Sequence, residues 1–128
     1  MTDGCSPELA ERVRDWIADD PDPATRHELA ALLDDAEAGS AAGADDLADR
    51  FAATLAFGTA GLRGELGGGP NRMNLAVVIR AAAGLARWVL DTAGADGARR
   101  GVAVCFDARH RSADFADVSI PESRRSIV

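Results

Sequence analysis

The chain has 128 residues and 47% hydrophobic content, which suits one ordinary domain or part of a larger one, and no apolar run approaches the length of a membrane span. Lys and Arg number 14 against 21 Asp and Glu, a net charge of −7 that argues against non-specific binding to nucleic acid or acidic membranes, yet a local positive cluster can still hold a small anion. Cys5 in a polar tail and Cys105 in an apolar run suggest no disulfide framework, and the N-terminus has neither a basic nor an apolar signal region, so a reduced cytoplasmic setting is expected.

The first element is a helix over "SPELAERVRDWIADD": Ser6 fits an N-cap, Pro7 the first helical position and Glu8 the first turn. Leu9, Val13, Trp16 and Ile17 fall on one face. "DPDP" breaks the chain, and a second helix follows through "ATRHELAALLDDAEA" with Leu29, Leu32 and Leu33 inward. "GSAAG" reads as a short flexible joint, and "ADDLADRFAATLAF" as a third helix with Leu47, Phe51 and Leu55 on one side. His27 lies on a helix among charged neighbours, as a surface residue would.

The stretch Ala56 to Asn74, "AFGTAGLRGELGGGPNRMN", holds six glycines and two arginines. After it, Asn74 fits the cap of a long amphipathic helix, "NLAVVIRAAAGLARWVLDT", whose buried stripe would be Leu75, Val78, Ile79, Ala82, Leu85, Ala86 and Val89. "AGADGARR" reads as a turn, and "GVAVCF" as a strand buried on both faces. The strand ends in the loop "DARHRS", where Asp107 fits side-chain bonds to backbone and Ser112 fits the cap of a further helix. This order is α/β grammar with a crossover helix and a mainly parallel sheet, although one strand is too little for a finished α/β domain.

Gly58, Gly61 and Gly64 are spaced by three, which matches neither the dinucleotide fingerprint nor the P-loop. Their backbone N–H groups are open to an anion, Arg63 adds a planar fork that matches phosphate oxygens, and Thr59 adds a hydroxyl donor. Two readings stand on spacing alone: a phosphate cradle, or a tight connection whose arginine pairs with a core carboxylate.

"FGTAGLRG", then "NRMN", a helix containing "GLA", and a strand closing in "DARHRSADFA" together resemble the start of the α-D-phosphohexomutase family, in the phosphoglucomutase/phosphomannomutase branch with an N-terminal helical lead-in. The resemblance runs from about Asp20 to Ala116, and the ordered pair "GTAGLRG" and "NRMN" is its specific part. It implies an incomplete first domain: a helical lead-in over 1–55, a partial mutase domain I over 56–116 with part of a mixed, mainly parallel sheet, and a divergent tail over 117–128. It further implies that Arg63 lines the active-site cleft as a phosphate contact, with Thr59, Gly61 and Gly64 as weaker phosphate-binding candidates. Arg72 is a candidate for support of that site or for pinning the loop to a helix, while Arg109 and His110 follow the strand at the end where α/β proteins place ligands.

The family reaction implied is transfer of a phosphoryl group between a phosphoserine and a hexose phosphate in carbohydrate metabolism, with Mg²⁺ held by an aspartate-rich loop. The sequence contains neither a "TASHNP"-like serine segment nor a "DGDGDR"-like metal loop, so no metal ligands are assigned and the chain is expected to be inactive alone. The alternative is a non-catalytic module that binds a sugar phosphate or another anion. The ending "DVSIPESRRSIV" has Pro121 where the helix should continue and no apolar stripe, so it reads as a frameshift or truncation, with a short natural variant as the alternative.

Overall fold

The computed structural model describes residues 5–59, 61–104 and 109–119, and these fall into two compact units, Met1–Val77 and Val78–Val128. Cys105, Asp107 and residues 120–128 of the tail lie outside the described residues.

The first unit opens with α1 (Pro7–Asp19), α2 (Pro23–Glu37) and α3 (Ala41–Arg50). Each helix begins where a side-chain oxygen meets an unpaired backbone donor. Ser6 Oγ accepts from Leu9 N (3.2 Å), Asp22 Oδ1 from Ala24 N (3.0 Å) and Ser40 Oγ from Gly43 N (3.1 Å). The supposed flexible joint at 39–43 is therefore the capped start of α3, and Pro23 opens α2 rather than only breaking the chain. At the corner between α1 and α2, the buried Asp20 carboxylate accepts from Asp22 N (3.0 Å) and from Thr25 Oγ1 (2.6 Å). Those two bonds offset the cost of taking the carboxylate out of water.

The three helices close around Val13, Leu29, Leu33, Ala36, Leu47 and Phe51, with Leu9, Trp16, Ile17 and Leu32 packed at the edge. Trp16 meets Phe51 edge to face at 6.1 Å. Arg12 donates to Phe51 O (2.6 Å) and lies over the Phe51 ring. The helical stripes expected in α1 and α2 supply this core. The third helix is shorter than expected and stops at Arg50. Its terminal carbonyls are taken up from outside the helix: Asn71 N donates to Arg50 O (2.9 Å) and Asn71 Nδ2 to Asp49 O (3.0 Å).

The sheet differs from the mainly parallel one expected. Among the described residues it is a two-stranded antiparallel hairpin, β1 (Phe57–Gly58) with β2 (Gly61–Leu62), pairing Phe57 with Leu62 and Gly58 with Gly61. Parallel pairing among them is confined to one bridge, Leu66 to Met73. Residues 101–104, the described part of the expected strand "GVAVCF", are not in a strand, and Val102 and Val104 are exposed. A strand buried on both faces needs ladder partners and covering helices, and the described residues supply neither for this run.

The long helix α4 (Leu75–Arg100) begins in the first unit, where Ala76 and Val77 are buried. It runs through the expected turn with one break, at Gly94 (φ 57°). In the second unit its expected buried stripe is largely open: Ile79, Leu85 and Ala86 are exposed and Val78, Ala82 and Val89 only half-buried. The last helix, α5 (Ser112–Val118), is preceded by Arg111 in the left-handed region (φ 67°), so Arg111 rather than Ser112 holds the cap position.

The core predicts unequal sensitivities. Leu47→Ala should lower stability by about 2–5 kcal/mol in urea unfolding, because Leu47 is fully buried. Arg14→Ala, which breaks only the exposed pair with Glu37, should stay within about 0.5 kcal/mol.

Candidate functional site

The glycine stretch divides into a projecting arm and a base. The arm, 56–64, carries the β1–β2 hairpin, and the base is the loop 65–74. The residues flanking the arm are both tied to the loop: Leu55 N donates to Pro70 O (3.0 Å), and Met73 N donates to Glu65 O (2.8 Å). Gly67 N closes the loop on Met73 O (3.1 Å).

Asn74 organises the base from within. It is 1% exposed, and its amide nitrogen donates to Gly67 O and Gly69 O, each at 2.8 Å. Its Oδ1 accepts from Val77 N (3.0 Å), so one side chain caps α4 and ties the loop together. The cap expected from the sequence is present, and the loop-closing bonds are an addition that spacing did not reveal.

The base is also clamped from below by the helices. Arg50 of α3 donates through Nε to Asp46 (2.9 Å) and through one terminal nitrogen to Glu28 Oε1 (2.7 Å) and Gly68 O (3.1 Å). Glu28 of α2 returns a bond to the same residue, accepting from Gly68 N (3.2 Å). Burial opposes the charge on Arg50, but the bonds to Asp46 and Glu28 more than reverse this, so the guanidinium is held charged more firmly than a free one. The glycines of the base fit this close contact. A Cβ on Gly68 would lie 2.7 Å from Leu29 Cγ, and Gly69 has φ +105° with Arg50 O at 3.2 Å from where its Cβ would stand.

The candidate residues separate on this frame. Thr59 is exposed on the hairpin turn, and Gly61 sits beside it with φ +100°. Arg63 is exposed on the arm, and among the described residues its guanidinium has no hydrogen bond or ion pair. Gly64 lies against Leu55, whose Cδ1 would be 2.7 Å from an added Cβ. Arg72 is committed elsewhere: it pairs with Asp49 (2.5 Å), approaches Asp46 (3.8 Å) and Glu65 (3.9 Å), and pins the base to α3. Arg109 and His110 lie in the second unit, exposed, and share no element with the arm. His27 is exposed on α2. Glu28 and Arg50 were not singled out from the sequence, since two charged residues on separate helices carry no spacing signal.

Among the described residues, no group of three or more His, Cys, Asp or Glu side chains is placed to hold a metal ion, so these residues do not fit a Mg²⁺ site. Among them no helix is long and apolar enough to cross a membrane.

Arg63 is thus an exposed guanidinium on a glycine-bearing arm, a group chemically able to meet an anion. The same segment identifies the lineage. Residues 54–121 match the model of the family described as phosphoglucomutase/phosphomannomutase, alpha/beta/alpha domain I. The chain belongs to this family. It is 36% identical over 110 residues to a probable phosphoribomutase of Schizosaccharomyces pombe, covering 86% of this chain and 18% of that protein. It is 32% identical over 106 residues to a phosphopentomutase of Mus musculus, covering 83% and 16%. With a phosphoglucomutase of Staphylococcus haemolyticus it shares 38% identity over 68 residues, covering 53% and 12%. The chain thus spans less than a fifth of the length of these relatives. No solved structure matches it.

The role of Asn74 is directly testable. Asn74→Asp keeps an acceptor for Val77 N but turns a carboxylate toward two carbonyls, whereas Asn74→Ala removes both functions. Both should lose about 1–3 kcal/mol in urea unfolding at neutral pH, with the aspartate variant at least as damaged as the alanine. Near-wild-type stability of Asn74→Asp would show that the cap alone matters.

Proposed function

We propose that this chain is the sugar-phosphate-contacting part of domain I of a phosphohexomutase-type enzyme, and that these residues by themselves bind a sugar phosphate without turning it over. The observation that carries the reading is Arg63: an exposed arginine without a hydrogen bond or ion pair among the described residues, on the arm within the family-matched segment. A planar guanidinium meets a phosphate through two parallel charge-assisted bonds, and the open backbone at Gly61 with the Thr59 hydroxyl adds further donors, while Gly64, set against Leu55, is the weaker candidate. Arg109 and His110 are secondary phosphate-binding candidates within the second unit.

The longer enzyme would transfer a phosphoryl group between a phosphoserine and a hexose phosphate in carbohydrate metabolism, in the cytoplasm, with Mg²⁺ to neutralise charge. The serine and metal segments of such a mechanism are not in this sequence, which supports binding without turnover. The names of the yeast and mouse relatives, phosphoribomutase and phosphopentomutase, make pentose phosphates a second substrate class to test beside hexose phosphates.

Calorimetric titration with glucose 1-phosphate and with ribose 1-phosphate tests the proposal. The wild-type chain should bind one or both, and Arg63→Ala should bind about 10- to 100-fold more weakly, the loss of a charge-assisted contact. Equal binding by both proteins, or none by either, would remove Arg63 from the role. The same preparation should show no conversion of glucose 1-phosphate; measurable turnover would overturn the binding-only reading.

A further inference from the structure

The ion pair between Glu28 and Arg50 is placed in a way that packing of the helices alone does not require. Its two members come from different helices and both reach past the helical core to a single residue of the base. Arg50 donates to the carbonyl of Gly68, and Glu28 accepts from the N–H of the same residue. Gly68 stands between the two anchor points of the arm, Pro70 on one side and the Glu65–Met73 bond on the other. The side chain of Arg50 is only 12% exposed, while Glu28 is 37% exposed, so the clamp lies at the rim between core and solvent.

We propose that Glu28 and Arg50 are positioning residues that hold the arm bearing Arg63 at a fixed angle on the helical lead-in. This inference rests on the reading of the arm as the sugar-phosphate contact. With the clamp in place the arm meets its ligand already ordered; without it, binding has to order the loop as well, which weakens affinity. The fork geometry matters. Two guanidinium nitrogens serve Asp46, Glu28 and Gly68 O together, and the single ammonium of a lysine cannot reproduce that spread.

The test uses two variants, Arg50→Lys and Glu28→Gln, and two readouts. The first readout is limited trypsin digestion followed by mass spectrometry. Cleavage after Arg63 reports release of the arm, and cleavage after Arg26, on α2, reports loosening of the helical core. In both variants cleavage after Arg63 should quicken by about tenfold while cleavage after Arg26 stays at the wild-type rate, because proteolysis follows the population of the locally open form. The second readout is titration with glucose 1-phosphate and ribose 1-phosphate, where affinity should fall by about tenfold although Arg63 is intact. Arg14→Gln, which breaks an exposed ion pair remote in sequence from the arm, serves as control and should change neither readout. Unchanged cleavage after Arg63, or equal acceleration after Arg63 and Arg26, would overturn the proposal, the latter because the pair would then support the whole unit. If the wild-type chain binds neither sugar phosphate, the functional reading fails, but the ratio of the two cleavage rates still decides whether the pair positions the arm.

Discussion

A guanidinium withdrawn from water has to be met by acceptors, and Arg50 is met by three: Asp46 one turn back on its own helix, Glu28 on α2, and the carbonyl of Gly68. Its own carbonyl accepts from Asn71 N. One residue therefore ends α3, joins it to α2 and carries the loop from which the arm projects. The glycines at 67–69 follow from that position. A Cβ would stand 2.9 Å from the guanidinium at Gly67 and 2.7 Å from Leu29 at Gly68, and Gly69 has a φ of +105° that side chains rarely adopt. The arm can be exposed because the centre of the loop beneath it, Gly68 to Pro70 with Asn74, is buried.

The same contrast distinguishes two arginines that look alike in the sequence. Arg72 is surrounded by Asp46, Asp49 and Glu65 and serves the loop. Among the described residues Arg63 has no such carboxylate partner, and it is exposed, where a negative ligand can reach it. A chain with net charge −7 offers an anion few landing places, so a local positive group on an open backbone carries more weight than the overall balance suggests.

Helix starts were legible because they are local: Ser6 caps α1 with Pro7 at its first position, and Asn74 caps α4, and the structure contains both caps. The end of α3 was not legible, because its carbonyls are taken by Asn71, some twenty positions later in the chain. The spacing of Gly58, Gly61 and Gly64 drew attention to the arm, but nothing in it told which glycines face a ligand and which face a helix. The latter, at 67–69, are fixed by contacts from Leu29 and Arg50. "GVAVCF" has the composition of a buried strand, yet its described part stands without partners, and a strand is defined by its neighbours more than by its own residues. The family was legible from ordered motifs, and the matched segment 54–121 begins just before the arm.

The central claim is that an exposed arm stands on a firmly held base. Residue-resolved amide hydrogen exchange of the intact chain tests it most directly. The account predicts slow exchange at Leu33 and Leu47 in the helices, at Leu55, which is bonded to the base, and at Gly68 and Met73 within it, with Arg63 exchanging at close to the random-coil rate. Exchange at Leu55, Gly68 and Met73 as fast as at Arg63, while the helices remain protected, would contradict it.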